Sequence, residues 1–263
     1  MPAITVGEVT LHYEVSGSGD GAPIVLLHGL GSSSADWALQ LPALAAQHRV
    51  FVVDLPAHGR SSRPRGRLTV EAMADDVAAL LTALGVSPAH LVGLSLGGCV
   101  ALMLALDHPE RLRSLTLVNA FARLTPAGPR GALRMLTRLA LLACAPMRVV
   151  AAHVAGGLFP RPDQQALYLA AVASIGSNPR TTYWSAIRAL LGFDVRRRLA
   201  AVRCPTLVVA GDRDTTVPLA AKTVLQRSIP GAELLIVADS GHATPSDQAE
   251  RFHAALLAFV AAH

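Results

Sequence analysis

The stretch His90-Leu91-Val92-Gly93-Leu94-Ser95-Leu96-Gly97-Gly98-Cys99-Val100-Ala101-Leu102-Met103-Leu104-Ala105-Leu106 reads as a strand, a sharp turn and a helix in direct succession. The short apolar run ending at Gly93 suits a strand buried on both faces, and the apolar run from Cys99 to Leu106 suits a buried helix. Between them, Gly93-Leu94-Ser95-Leu96-Gly97 sets a serine between glycines. A tight turn of this kind strains the serine backbone and brings neighbouring segments too close for larger side chains, which is why glycine is needed on both sides. It would also hold the Ser95 hydroxyl clear of the sheet end, over the unpaired N–H groups of a helix N-terminus. A plainer reading is a glycine turn whose serine caps the helix. The surrounding sequence has to decide between them.

Outward from this stretch, short apolar runs recur at Ile4–Val6, Val9–Val15, Ile24–Leu27, Val50–Val53, Ser114–Val118, Thr206–Ala210 and Glu233–Val237. The first two alternate around Gly7-Glu8 and predict an N-terminal hairpin. Helix-like segments fall near 36–46, 71–84, 96–107, 218–228 and 246–262. Strands alternating with helices predict an α/β protein, a mainly parallel sheet covered by helices on both sides. Residues 121–200 break the rhythm: they hold no strand pattern, only Ala/Leu/Arg-rich helical segments punctuated by prolines. They predict a helical insertion after the sixth strand, with some of Leu133, Met135, Leu136, Met147, Leu158, Phe159, Tyr168, Tyr183 and Trp184 lining a pocket.

Composition narrows the function classes. At 263 residues, 52% hydrophobic and 16% charged, the chain can bury a large core without disulfides. A net charge of +5 could suggest a nucleic-acid partner. The basic clusters Arg60/Arg63/Arg65/Arg67 and Arg196-Arg197-Arg198 lie far apart, however, and lack the interleaved aromatics that stack bases. A single lysine, Lys222, stands among 23 basic residues. Three cysteines at 99, 144 and 204 show no metal-type or redox spacing, the ten histidines include no pair at ligand spacing on one helix, and no phosphate-loop motif is present. No metal or organic cofactor is therefore expected. The longest apolar stretch, Leu139–Ala155, is interrupted by Pro146 and Arg148 and falls short of a membrane span. The N-terminus has no leader pattern, so a cytoplasmic protein is expected.

A serine hydroxyl is a weak nucleophile and needs a base within hydrogen-bond reach, itself oriented by an acceptor. His242 follows the last strand in Asp239-Ser240-Gly241-His242-Ala243-Thr244-Pro245; His28 and His58, which also follow strands, compete with it. For the acid, Asp212, Asp214 and Asp239 are all near strand ends, while the sixth strand runs into Asn119-Ala120-Phe121 without a carboxylate.

His28-Gly29 after one strand, Asp54-Leu55-Pro56-Ala57-His58-Gly59-Arg60-Ser61 after the next, the Ser95 turn, Gly211-Asp212-Arg213-Asp214 and Gly241-His242 come in the order found in the α/β-hydrolase family, which the chain resembles over essentially its whole length. The resemblance implies a mostly parallel eight-stranded sheet, with a core of residues 1–120 and 201–263 and a helical lid of residues 121–200. It also implies Ser95 as nucleophile, His242 as base, Asp214 as acid, and the backbone N–H groups of Leu30 and Leu96 as oxyanion donors. Asp212 is then expected to stabilise the turn, bonding its own backbone, and His28 and His58 to support loops around the entrance. Asp75 and Asp76 are expected on an exposed helix face. The implied activity is hydrolysis of a small to medium carboxylic ester or lactone through an acyl-enzyme, by a monomer or homodimer. Enol-lactone or carbon–carbon bond hydrolysis and a slow ligand-sensing role are the alternatives. Carbon–carbon hydrolases of the family usually carry Trp after the histidine, where this chain has Ala243, and His28-Gly29-Leu30-Gly31 departs from the His-Gly-Gly-Gly of many lipases.

Overall fold

The computed structural model describes residues 2–126 and 128–263. Eight strands, β1 (Ala3–Val6), β2 (Val9–Ser16), β3 (Gly21–Leu27), β4 (His48–Val53), β5 (Ala89–Leu94), β6 (Leu112–Val118), β7 (Thr206–Gly211) and β8 (Glu233–Val237), form one sheet in the order β1-β2-β4-β3-β5-β6-β7-β8. The expected hairpin is present, Val6 facing Val9 across the Gly7-Glu8 turn, and β2 pairs antiparallel with β4. All other pairs are parallel. Between and after the strands lie α1 (Leu41–Leu44), α2 (Val70–Ala83), α3 (Leu96–Asp107), α4 (Gly128–Cys144), α5 (Met147–Leu158), α6 (Gln165–Gly176), α7 (Arg180–Gly192), α8 (Leu219–Ser228), α9 (Thr244–Asp247) and α10 (Ala249–Ala261).

The continuous apolar strands feed two cores at once. Along β3, Val25 and Leu27 enter the core beneath α2, α3 and α8, while Ile24 and Leu26 enter the one beneath α10 with Trp37, Phe252 and Leu256. Alternate residues point to opposite faces, so a strand covered on both sides must be apolar throughout. α3 is buried from Leu96 to Ala105, which explains why its sequence has no polar face.

Two expected helices are interrupted. Residues 36–46 form a short 3-10 turn at Ser34–Trp37, capped by Ser33, and then the single turn α1 with Pro42 in its first turn. Residues 246–262 divide into α9 and α10 at Gln248, whose φ of −136° and ψ of 50° leave the helical region. Asp75 is exposed but Asp76 is half-buried, contrary to expectation, and burial with the neighbouring Asp75 charge pushes its carboxyl up to about 6.

Helices α4–α7 occupy the interval between β6 and β7, with Val195 N–H bonded to Ala122 O at 2.9 Å and a bridge between Arg123 and Asp194 joining the two ends of the excursion. They have a core of their own, including Leu142, Val150, Ile175 and Tyr183. The C-terminal half of α7 enters the main core through Ala186, Ala189 and Leu190. Of the apolar residues expected in this region, Tyr183 is buried, Leu133, Leu136 and Trp184 are exposed, and Met135, Leu158 and Phe159 line a cavity. Among the described residues, no helix is long and apolar enough to cross a membrane.

Candidate active site

Ser95 sits between β5 and α3 with φ 52° and ψ −108°, a conformation that L residues avoid unless the surroundings impose it. Its N–H bonds Val118 O on β6 at 2.9 Å. A Cβ on Gly93 would lie 2.3 Å from Gly97 O; one on Gly97 would lie 2.2 Å from Leu27 O and 2.7 Å from His28 O. Both glycines are thus required by backbone approaching backbone. The Ser95 side chain makes no cap hydrogen bond to α3, so the plain capping reading fails and the hydroxyl is left to the cavity that Ser95 lines.

His242 lines the same cavity, and its Nδ1 lies 2.9 Å from Asp214 Oδ2. Asp214 lies beyond the end of β7, its side chain only 1% exposed. Its Oδ1 accepts from Thr216 N–H at 2.8 Å and Val217 N–H at 3.0 Å; its Oδ2 accepts from His242 and, at 2.7 Å, from Lys222 Nζ on α8. Burial would push this carboxyl up, but the charges and hydrogen bonds of His242 and Lys222 outweigh it and hold the group well below the usual carboxylate range. An ionised carboxylate can only accept, so Nδ1 carries a proton, and in the neutral ring Nε2 is then the nitrogen that can act as base.

Of the competing acids, Asp212 turns its Oδ1 to Ser240 N–H at 3.1 Å. It therefore ties the Asp214 loop to the His242 loop, where bonding to its own backbone was expected. Asp239 pairs with Arg213 at the surface. Of the competing bases, His28 and His58 are buried and bond the backbone of the segments that follow β3 and β4. His28 Nδ1 donates to Gly29 O and its Nε2 accepts from Leu55 N–H at 3.0 Å, joining the ends of β3 and β4. Burial, with His58 adjoining, pushes its imidazole down to about 3, and burial lowers His58 as well. Neutral, enclosed imidazoles of this kind are structural. Asp54 likewise holds its loop together, accepting from Ser34 N–H, Arg60 N–H and His12 Nδ1.

The cavity, about 180 Å³, lies between the sheet end and helices α4–α7, with Leu30 and Ser95 on one side and Met135, Leu158 and Phe159 among its lining. Among the described residues neither Leu30 N–H nor Leu96 N–H has a hydrogen-bond acceptor. Leu96 opens α3, so its N–H is one of the helix's free donors. Arg138 on α4 donates to the Tyr183 hydroxyl, with its guanidinium 5.1 Å above the Tyr183 ring.

A family model described as alpha/beta hydrolase fold matches residues 22–248. The chain belongs to the α/β-hydrolase fold family. It is a hydrolase of that fold. It is 37% identical over 266 residues to a protein from Azorhizobium caulinodans named "Putative carbamate hydrolase RutD", covering 98% of each chain. Among solved structures it resembles the enol-lactonase from Burkholderia xenovorans LB400, with a TM-score of 0.91 and 26% identity over 99% of this chain and 100% of that one. It also resembles a hydrolase from Pseudomonas aeruginosa PA01, with a TM-score of 0.89 and 31% identity over 98% and 97%.

Two residues around the site escaped the motif reading. Lys222 was visible as the lone lysine, but nothing in the sequence brings it to Asp214. Asn119 follows the sixth strand as a residue without a carboxylate, and nothing in the sequence assigns it a role. Fully buried with φ 47°, it donates through Nδ2 to His242 O and Thr244 Oγ1, both at 2.8 Å, and accepts Gly211 N–H at 2.9 Å. It thereby clasps the histidine loop to the end of β7.

Proposed function

We propose that this hydrolase cleaves a small to medium carboxylic ester or lactone through an acyl-enzyme on Ser95. The observation that carries the reading is a serine held at φ 52° on the wall of the cavity that His242 also lines, with His242 Nδ1 fixed 2.9 Å from a buried, ionised Asp214. His242 Nε2 takes the Ser95 proton as Oγ attacks the acyl carbon. The Leu30 and Leu96 N–H groups receive the negative charge that develops on the carbonyl oxygen; a donor of this kind is worth roughly 3–4 kcal/mol of barrier. The imidazolium returns the proton to the leaving alcohol oxygen, which in a lactone stays tethered. Water deprotonated by His242 then attacks the acyl-enzyme, and collapse of that intermediate releases the acid and restores Ser95. Helices α4–α7 act as the lid. Its apolar lining residues Met135, Leu158 and Phe159 favour an acyl or alcohol group larger than acetyl.

A carbamate is the second reading, favoured by 37% identity along nearly the full chain to the Azorhizobium protein; the attack is the same, on a carbamoyl carbon. Values of kcat/KM across p-nitrophenyl esters of rising acyl length, simple lactones and aryl carbamates separate the two. In the same series, Ser95→Ala should abolish turnover and fluorophosphonate labelling. A wild-type protein that is neither labelled nor active on any of these substrates would refute the reading.

A further inference from the structure

The one lysine in the chain is buried on the candidate catalytic acid. Lys222 is 0% exposed, and its Nζ donates to Asp214 Oδ2 at 2.7 Å and to Val217 O at 3.0 Å. His242 Nδ1 shares that same carboxylate oxygen. The structure assigns Lys222 as a positioning residue: a buried ammonium that holds Asp214 ionised and aimed at His242, and extends the working range of this base toward lower pH. The role rests on reading Ser95, His242 and Asp214 as the catalytic set.

A lone carboxylate in a dry site is costly unless its charge is matched and its lone pairs are filled. Here four donors fill Asp214, two backbone N–H groups on Oδ1 and two side chains on Oδ2. With His242 neutral, Asp214 and Lys222 together carry no net charge. Protonating His242 brings a second cation onto an oxygen that already holds one. Like charges this close disfavour each other, so Lys222 resists formation of a resting imidazolium, while in the reaction the oxyanion on the substrate balances the imidazolium. The compact ammonium suits the position: it offers three donors on a flexible stem and has no planar fork to accommodate. Burial pulls the lysine toward neutrality and Asp214 pulls it back.

Asp36, Arg138 and His153 line the same cavity as His242, Asp36 paired with Ser32 and Arg138 with Tyr183, and the other charged groups around the site loops have partners of their own. Asp247 of α9 is occupied by Ser240 Oγ and Gly241 N–H. Arg134 of α4 bonds the Thr215 hydroxyl, Arg161 bonds Asp239 O and Asp163, and Arg213 pairs with Asp239 in solvent. Among the described residues Lys222 is the one ammonium or guanidinium in contact with Asp214.

The test compares wild type with Lys222→Met, which keeps length and bulk but removes the charge. The acidic limb of kcat/KM on a p-nitrophenyl ester should move about one pH unit upward, the lower end of the range for a close charge. At one pH unit below the wild-type limb, activity should therefore fall about tenfold more than on the plateau. A role confined to packing would lower the plateau and leave the limb in place, which would overturn the proposal. Titration of the His242 ring by NMR reads the same shift without substrate, so an inactive wild type would sink the hydrolase reading while this inference was still decided. Should Lys222→Met not fold, wild type labelled with 13C at lysine Cε gives a single lysine resonance. It should report an ammonium throughout pH 6–9; a neutral amine at pH 7 would overturn the assignment.

Discussion

Asn119→Ala tests whether the clasp between the two loops is as important as its geometry implies. The substitution removes the acceptor of Gly211 N–H and a donor to His242 O, whereas Thr244 Oγ1 still has Ser240 Oγ at 2.8 Å. Two buried backbone groups are left unpaired, at roughly 1–3 kcal/mol each. Alanine also tolerates a φ of 47° less well than asparagine, at about 1 kcal/mol more. A loss of about 3–7 kcal/mol of folding stability is expected, with a water entering the vacated space placing it at the lower end. The tether also sets the spacing of the segments that carry Asp214 and His242. A slip of about 1 Å there should lower kcat by about a hundredfold. Urea unfolding followed by the fluorescence of Trp37 and Trp184, together with kcat on an ester, measures both. A stability change below about 1 kcal/mol with kcat within threefold of wild type would show that the loops hold their places without Asn119.

Gly97→Ala should lower both stability and fluorophosphonate labelling sharply, since the new Cβ meets Leu27 O and His28 O on the strand that leads to Leu30; thermal melting and labelling rates check this. Gly156→Ala at an exposed position of α5, where an added Cβ meets nothing within 4 Å, should instead stabilise by about 0.5–1 kcal/mol. Burial holds His28 down to about 3 and, with Arg113 and His48 adding to it, His90 down to about 4. The unfolded chain therefore binds more protons than the folded one below the ordinary histidine value. This stabilisation is complete above about pH 6.5 and is lost as pH falls toward 4, on the order of 2 kcal/mol or more. Urea midpoints should therefore drop between pH 7 and pH 5, and a flat profile would contradict the burial argument. Cys99 is buried, Cys204 is pushed up by burial to about 11, and Cys144 is exposed. Ellman's reagent at pH 8 should accordingly find one fast thiol in the folded protein and all three after unfolding.

Motif and periodicity were enough for the elements that depend on neighbours in the chain. The Ser95 turn, the apolar strands on either side of it, α3 and the helical excursion between β6 and β7 were all legible, because a glycine at a close approach and an apolar run buried on both faces leave local marks. The break at Gln248 was not, since an amphipathic pattern continues through a residue whose backbone leaves the helix.

What the sequence by itself determined, then, was the α/β architecture and the set of side chains from which a site could be built: Ser95 by its turn, His242 and the aspartates by their places after strands. Tertiary structure decided which of them meet. It put Asp214 on His242, sent Asp212 to Ser240, buried His28 and His58, and closed Asn119 and Lys222 around the two site loops. Those contacts join residues on different strands and helices, and their strength comes from burial. Both are properties of the packed molecule, and neither has a signature in the spacing of residues along the chain.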